Sequence, residues 1–205
     1  SMLAGCGGTK EQPKTEPAKD QKPSTQAPAA DDKIKIGTIQ PISGGISVYG
    51  TQTRNAIQLA VDEYNATGGV LGKKIELVVE DDENNPEKTA NAFTKLTSKD
   101  KVVGLVAALT SKCTLAITKK TQEKKVPMIT PTSTNDTVTD AGDFIFRACY
   151  NDSFQGQVVA KFAVETLKSK NAAILYDASN DYSKGLMENF KLVFEKSGGK
   201  ITLAE

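Results

Sequence analysis

The run Val102-Val103-Gly104-Leu105-Val106-Ala107-Ala108 contains no polar residue. A strand with one wet face alternates apolar and polar positions. A strand without alternation must be covered on both faces, which calls for helices above and below a parallel sheet. The residues downstream agree with this: Thr114 to Lys124 reads as a helix, and Val126 to Ile129 as the next short strand, stopping before Pro131. In parallel α/β sheets ligands sit against the loops that leave the carboxyl ends of strands. Both strands empty into loops of small hydroxyl residues, Leu109-Thr110-Ser111-Lys112 after the first and Thr132-Ser133-Thr134-Asn135 after the second. Hydroxyls at such a place suit a small polar ligand, although Thr, Ser and Asn also form turns and caps for purely local reasons.

The same βα alternation runs along the chain. Ile34 to Gln40 is the first strand, bounded by Asp and Pro. Residues 41–50 are too rich in glycine to read as a helix, so they form a loop that places Tyr49 just before one. That helix covers about residues 51–67, with Ile57, Ala60, Val61 and Tyr64 on one face and Gly68-Gly69 ending it. Ile75 to Glu80 is a second strand, and Pro86 suits the first turn of a helix reaching about Ser98. The first βα turn lacks G-x-G-x-x-G, so the acidic residues after the second strand read as a solvated turn rather than a dinucleotide site. Phe144 to Ala148 is a strand, and residues 153–167 a helix with Val159, Phe162, Ala163 and Leu167 facing inward. Ala172 to Tyr176 is a strand, Asp181 to Lys196 a helix with Leu186, Phe190, Val193 and Phe194 at helical spacing, and Ile201-Thr202-Leu203 opens one more strand. The chain then stops inside a repeating pattern, which reads as a truncation.

Composition removes whole classes of function. The chain has no histidine, which excludes a Ser-His-Asp triad, a His-ligated metal and the usual proton shuttle. Lys and Arg number 26 against 25 Asp and Glu, evenly mixed, so no basic stripe exists to attract nucleic acid. Cys6, Cys113 and Cys149 lie far apart without a C-x-x-C pair, so no metal site and no cofactor is expected. At the start, Leu3-Ala4-Gly5-Cys6 looks like a bacterial lipobox, whose cysteine carries lipid in exported lipoproteins. The apolar run that should precede it is missing. From Thr9 to Asp32 the composition has almost nothing to bury and reads as a solvated tether, with Gly7 to Asp32 spanning on the order of 30 Å as a coil. The other reading is a disordered leader with an accidental cysteine.

Several landmarks occur in one order: I-K-I-G-T-I-Q-P-I-S-G followed by V-Y-G, N-A-T-G-G-V-L-G-K-K-I-E-L, D-D-E-N-N-P, T-S-K-C-T, P-M-I-T-P-T-S-T-N, F-R-A-C-Y-N-D-S-F-Q-G and D-Y-S-K-G. With them the chain, from Ile34 to its end, resembles the type I solute-binding proteins of ABC importers, in particular the Leu/Ile/Val-binding branch and its Gram-positive lipoprotein relatives. The resemblance implies an α/β, periplasmic-binding-protein-like type I fold with two doubly wound parallel-sheet lobes, joined by crossing segments near residues 147–154 and closing on ligand by a hinge. It divides the chain into a lipobox and tether (1–32), a first lobe (33–147) and the beginning of a second, incomplete lobe (148–205).

Carried over by position, Thr110 or Ser111, Thr132, Ser133 and Thr134 would hold the α-carboxylate and ammonium of an amino acid, with Ser111 opening a helix whose amides favour an anion. Tyr49 and Tyr182 would flank the ligand side chain, with packing as the alternative role for Tyr182. Cys6 would carry lipid. Lys112 and Cys113 stand where the family often has a small residue, and Ala107-Ala108 where Gly-Pro is common, so the ligand's identity stays open. Whether Cys113 and Cys149 pair is also open. The implied function is an extracytoplasmic, lipid-anchored bacterial receptor without enzymatic activity. It would deliver a free amino acid, branched-chain or otherwise aliphatic, to a membrane permease. The alternatives are a ligand-sensing ectodomain and an α/β enzyme using the same cleft, against which the missing histidine argues.

Overall fold

Strand β1 (Ile34–Gln40) is an inner strand of the sheet, paired in parallel with β2 (Ile75–Asp81) on one side and β3 (Gly104–Ala107) on the other. The computed structural model describes residues 33–205. Parallel pairing continues through β4 (Met128–Thr130) to β5 (Ile145–Arg147), giving five strands in the order β2-β1-β3-β4-β5. The order reverses between β1 and β3. The connections are α1 (Ser47–Ala66), α2 (Pro86–Lys95, continued by a π-helical turn Leu96–Asp100), α3 (Ser111–Lys124) and a 3-10 segment (Asp136–Ala141). Beyond β5 come α4 (Asp152–Lys161, with a π-helical turn Phe162–Thr166), β6 (Asn171–Ile174), α5 (Asp181–Lys196) and β7 (Lys200–Ala204). Strands β6 and β7 form a separate parallel pair. Residues 33–205 cluster as one compact unit, and the boundary expected after Arg147 falls inside it, between β5 and α4. The lipobox and tether expected over residues 1–32 lie outside the described residues.

The core lies under β1, β3 and β4: Ile39, Phe93, Leu96, Leu105, Ile117, Met128, Val138 and Ile145 are all buried. Gly37 is the condition for that packing, since a Cβ there would come within 3.0 Å of Leu105 Cδ2 and 3.1 Å of Leu96 Cδ1. Helix starts are set locally. Asn85 caps α2 by accepting from the amides of Glu87 and Lys88, with Pro86 in the first turn; Asn151 caps α4 through Phe154, and Asn180 caps α5 through Tyr182 and Ser183.

Two expectations are corrected. Helix α1 begins at Ser47, not near Thr51, so Tyr49 and Gly50 belong to its first turn. Tertiary packing overrides the glycine signal: a Cβ on Gly50 would sit 2.2 Å from the carbonyl oxygen of Pro41, so the residue has to be glycine for the loop to close on the helix. On α4 the expected inward face is reversed. Val159, Phe162 and Leu167 are exposed, and the buried face is Asp152, Gly156 and Ala160. These sit at i, i+4 and i+8 and let α5 approach closely, since a Cβ on Gly156 would meet Asn189 Cβ at 2.6 Å.

Candidate functional site

Loops following β1, β3 and β4 all emerge at the carboxyl edge of the sheet, beside the point where strand order reverses. There a cleft of 360 Å³ is lined by Leu109, Thr110 and Ser111 after β3, Thr132 and Thr134 after β4, Cys149, Tyr150 and Gln155 from the segment entering α4, and Asn180 and Tyr182 at the start of α5. Of the residues singled out from sequence, Thr110, Ser111, Thr132, Thr134 and Tyr182 therefore come together. Ser133 and Tyr49 do not line the cleft. Tyr49 is 64% exposed in the first turn of α1.

The hydroxyls at this edge divide by what they already bind. The Thr132 hydroxyl donates to the Leu109 carbonyl at 2.5 Å, and that of Thr130 to the Ala108 carbonyl at 2.9 Å. Ser133 is turned inward: its hydroxyl lies 2.6 Å from that of Thr114 and reaches the carbonyls of Ala108 and Leu109 at 3.4 Å, while its amide donates to Thr130 Oγ1. The peptide between Ala107 and Ala108 is cis. These bonds tie the two hydroxyl loops to each other. The Thr110 hydroxyl is spent on Asn84 Oδ1 at 2.7 Å and does not cap α3, so the first-turn amides of α3 keep no side-chain acceptor. Ser111 Oγ accepts from the amide of Asn135 at 3.3 Å, which leaves its own proton to donate. Thr134 Oγ1 is buried and has no hydrogen bond of ordinary geometry among the described residues.

Arg147 fixes the loop that carries Thr134. Its guanidinium donates to the carbonyls of Asn135 at 2.6 Å and Ser133 at 3.3 Å and to the Thr139 hydroxyl at 3.1 Å. The rim is aromatic: Tyr150 and Phe154 rings lie 6.4 Å apart at 47°, and Gln155 Nε2 approaches the Tyr182 hydroxyl at 3.4 Å. Sequence reasoning named the loop that holds Leu109 but missed Cys149, Tyr150, Gln155 and Asn180, because only the fold of the segments around α4 and α5 brings them to the β3 and β4 loops.

Cys113 and Cys149 are both free thiols. Burial pushes the Cys113 thiol up from its usual range; burial does the same at Cys149, with Arg147 pulling slightly the other way. Among the described residues no group of three or more His, Cys, Asp or Glu side chains is placed to hold a metal, and no helix is long and apolar enough to cross a membrane.

Residues 33–205 match the family model described as periplasmic binding protein. The Leu/Ile/Val-binding protein BraC3 of Rhizobium johnstonii is 36% identical over 173 residues, covering 84% of this chain and 47% of that protein. Among solved structures, the leucine-binding protein LivK of Thermotoga maritima superposes with a TM-score of 0.78 at 37% identity, over 83% of this chain and 48% of its own. The branched-chain amino acid transporter substrate-binding protein LivJ of Streptococcus pneumoniae, in complex with isoleucine, superposes with a TM-score of 0.78 at 35% identity, over 84% and 49%. The chain spans about half the length of the curated relatives it matches.

Proposed function

The chain belongs to the periplasmic binding protein family and has its type I α/β fold, and from that premise we propose that it binds the α-carboxylate and ammonium of a free aliphatic amino acid in the cleft between the β3 and β4 loops and the start of α5. Members of this family are solute-binding proteins rather than enzymes. The observation that carries the reading is the set of free donors. The uncapped amino end of α3, the Ser111 hydroxyl and the orphaned Thr134 hydroxyl belong to residues lining one cleft. Backbone amides at a helix start favour an anion, and a buried hydroxyl with no partner costs free energy until something supplies one. A carboxylate against α3 and Ser111, with the ammonium toward Thr134, satisfies both. The Leu109, Cys149, Tyr150 and Tyr182 side chains then surround an aliphatic group. The cleft falls at the small end of the range of about 300–1,000 Å³ for ligand pockets, as a single amino acid requires.

Relatives named as Leu/Ile/Val-binding proteins and the isoleucine complex support a branched-chain ligand. Delivery to a membrane permease of an ABC importer, and an extracytoplasmic place held by lipid on Cys6, complete the proposal. Calorimetric titration with the free amino acids tests the ligand: an aliphatic L-amino acid is expected to bind, and binding by none of them overturns the reading. Cys6→Ser in cells is expected to move the protein from membrane to soluble fraction, because acyl chains are what hold such a protein on a bilayer. Retention of the variant on the membrane refutes the anchor.

A further inference from the structure

The D-D-E-N-N-P turn after β2 reaches across to the start of α3. Its backbone is held from within. Asp82 is fully buried; its carboxyl accepts from the Asn84 amide at 3.0 Å and from the Thr89 hydroxyl at 2.9 Å, and its carbonyl accepts from the Asn85 amide at 2.8 Å. Glu83 and Asn84 stand at φ of 49° and 59°, in the left-handed region that asparagine enters more readily than most residues with a side chain. From that position Asn84 Oδ1 accepts from the Thr110 hydroxyl at 2.7 Å and from the Cys113 thiol at 3.6 Å. Thr110 is the N-cap residue of α3, a helix of 14 residues, and Cys113 lies in its first turn. Thr110 has the extended backbone of an N-cap, φ −102° and ψ 151°, and a hydroxyl of the kind that caps helices, yet that hydroxyl accepts from no amide of the first turn. Asn85, Asn151 and Asn180, by contrast, each cap their own helix. The uncapped turn opens on the cleft: Thr110 and Ser111 line it together with Thr134, whose buried hydroxyl has no hydrogen bond of ordinary geometry among the described residues.

We propose that Asn84 is a positioning residue for ligand binding: by holding the Thr110 hydroxyl away from the first-turn amides of α3, it keeps the end of that helix open to a ligand's carboxylate. This rests on the amino-acid reading of the cleft. A hydroxyl at an N-cap and an incoming carboxylate compete for the same amides, those of Lys112 and Cys113. Were the hydroxyl to hold them first, the anion would have to displace it, and affinity would fall by the strength of the cap. Asn84 removes that competitor in advance. A threonine hydroxyl has one proton, and donating it to Asn84 turns the oxygen toward the β2 turn and away from the helix. The free protein thereby forgoes a cap that the ligand then supplies, and binding costs less reorganisation. The two partners stand 26 positions apart, so the residues around Thr110 read as an ordinary N-cap and give no sign of the restraint. A bond that only tied the two loops together would be lost when either partner is removed, and removing the second would change nothing more.

The test is titration calorimetry with L-leucine on the wild-type protein, Asn84→Gly and the double variant Asn84→Gly/Thr110→Val, glycine being chosen because it adopts a left-handed φ without strain. If a different free amino acid is the one that binds wild type, it takes the place of L-leucine in every arm. Asn84→Gly frees the Thr110 hydroxyl to cap α3 and is expected to bind about fivefold more weakly, the equivalent of one typical cap. Adding Thr110→Val removes the freed hydroxyl and is expected to recover most of that loss, so the double variant binds more tightly than the single one. A loss without recovery marks a bond that merely ties the loops, and unchanged affinity in Asn84→Gly marks a hydroxyl that never competes. Either result overturns the proposal and leaves the amino-acid reading standing. A wild type that binds no free amino acid overturns both. Amide hydrogen exchange on wild type alone decides even if Asn84→Gly folds poorly: the Lys112 and Cys113 amides are expected to exchange readily in the free protein and to gain protection with L-leucine, and protection already present without ligand overturns the proposal.

Discussion

Adjacent residues in the β4 loop should respond in opposite ways to loss of their oxygen. Thr134→Val removes a buried hydroxyl that makes no hydrogen bond of ordinary geometry among the described residues, only a loose approach to the Asp152 carboxyl, and keeps the shape of the side chain. An orphaned buried polar group already carries its desolvation cost, of about 1–3 kcal/mol, so removing it should leave stability unchanged or slightly raised. With ligand bound the same hydroxyl faces a charged group, and hydrogen bonds to charges contribute about 1.5–3 kcal/mol, so affinity should fall roughly 10- to 150-fold. Ser133→Ala is the mirror image. Its hydroxyl is bonded to Thr114 and approaches two backbone carbonyls in the interior, so its loss should lower unfolding free energy by about 1–3 kcal/mol. Its effect on affinity should be small once folding is accounted for. Thr94→Ala, at an exposed residue on α2, serves as control; Thr139 does not, because it accepts from Arg147. Urea unfolding and calorimetric titration with the best-binding amino acid measure both quantities. If Thr134→Val destabilises while affinity per folded molecule is unchanged, the division between structural and ligand-facing hydroxyls is wrong.

In the absence of ligand, Asp152→Asn should become increasingly stabilising relative to wild type as pH rises. The folded acid is held above 3.8, so the stability its neutral form contributes is fully present below that value and is lost as pH rises through the folded value. Thermal unfolding from pH 3.5 to 7.5 checks this, and a wild type that gains on the variant with rising pH contradicts it. Cys149 lines the cleft whereas Cys113 is buried in the core, so slow alkylation at neutral pH should label Cys149 first and saturating amino acid should protect it, as mass spectrometry of peptides would report. Labelling unaffected by ligand would move the ligand away from Cys149. Gly156→Ala should part α4 from α5, because its Cβ would lie 2.6–2.8 Å from Asn189 and Phe190 atoms. A cost of about 1–3 kcal/mol is expected, with weakened ligand binding through displaced Tyr182, and an unchanged melting temperature would argue against this contact.

What was legible in the sequence was what local chemistry decides. Strand β1 and helix α5 have the bounds read from sequence, because alternation with Asp and Pro at the ends marks one, and the helical spacing of Leu186, Phe190, Val193 and Phe194 stopped by Gly198-Gly199 marks the other. The run from Val102 to Ala108 correctly implied a strand inside a parallel sheet, although the face bearing Ile36, Val106, Ile129 and Phe146 lies open rather than under a helix, and the hydroxyl loops after β3 and β4 do meet at one edge. What stayed hidden depends on neighbours distant in sequence. Gly50 sits inside a helix because the Pro41 carbonyl comes close, which no window around Gly50 shows. Periodicity on α4 picked the large apolar residues as the inner face, but α5 selects the small ones, Gly156 and Ala160. Ser133 and Thr134 look equivalent in a run of hydroxyls, and only the position of Thr114 on α3 turns one of them inward. Tyr182 was placed by resemblance alone; its own neighbours in sequence do not mark it.

That division of hydroxyls bears on how the site can be tuned. Thr38 donates to the Val106 carbonyl, Thr130 to that of Ala108 and Thr132 to that of Leu109, so three carbonyls at the end of β3 and just beyond are held by side chains from a neighbouring strand or loop. Arg147 fixes the outgoing limb through the Ser133 and Asn135 carbonyls. The loops are therefore ordered before any ligand arrives, and little conformational entropy remains to be lost when the Ser111 and Thr134 donors are used. For the proposed amino-acid ligand, a backbone so held would grip the groups common to all amino acids, while Tyr150, Gln155, Asn180 and Tyr182, in or just before α4 and α5, could vary with the side chain to be accepted. Helices α4 and α5, which carry or flank these residues, pack on each other at Gly156 and Asn189 and reach the β4 loop through hydrogen bonds between Asp152 and Thr134, Asn135 and Asp181, and Ser153 and Asp136. On the proposed reading, recognition of the shared groups falls to the β3 and β4 loops and choice of side chain to residues near the starts of α4 and α5. Substitutions at Tyr150 or Tyr182 should alter which amino acid binds with much smaller changes in stability than substitutions at Thr130 or Ser133.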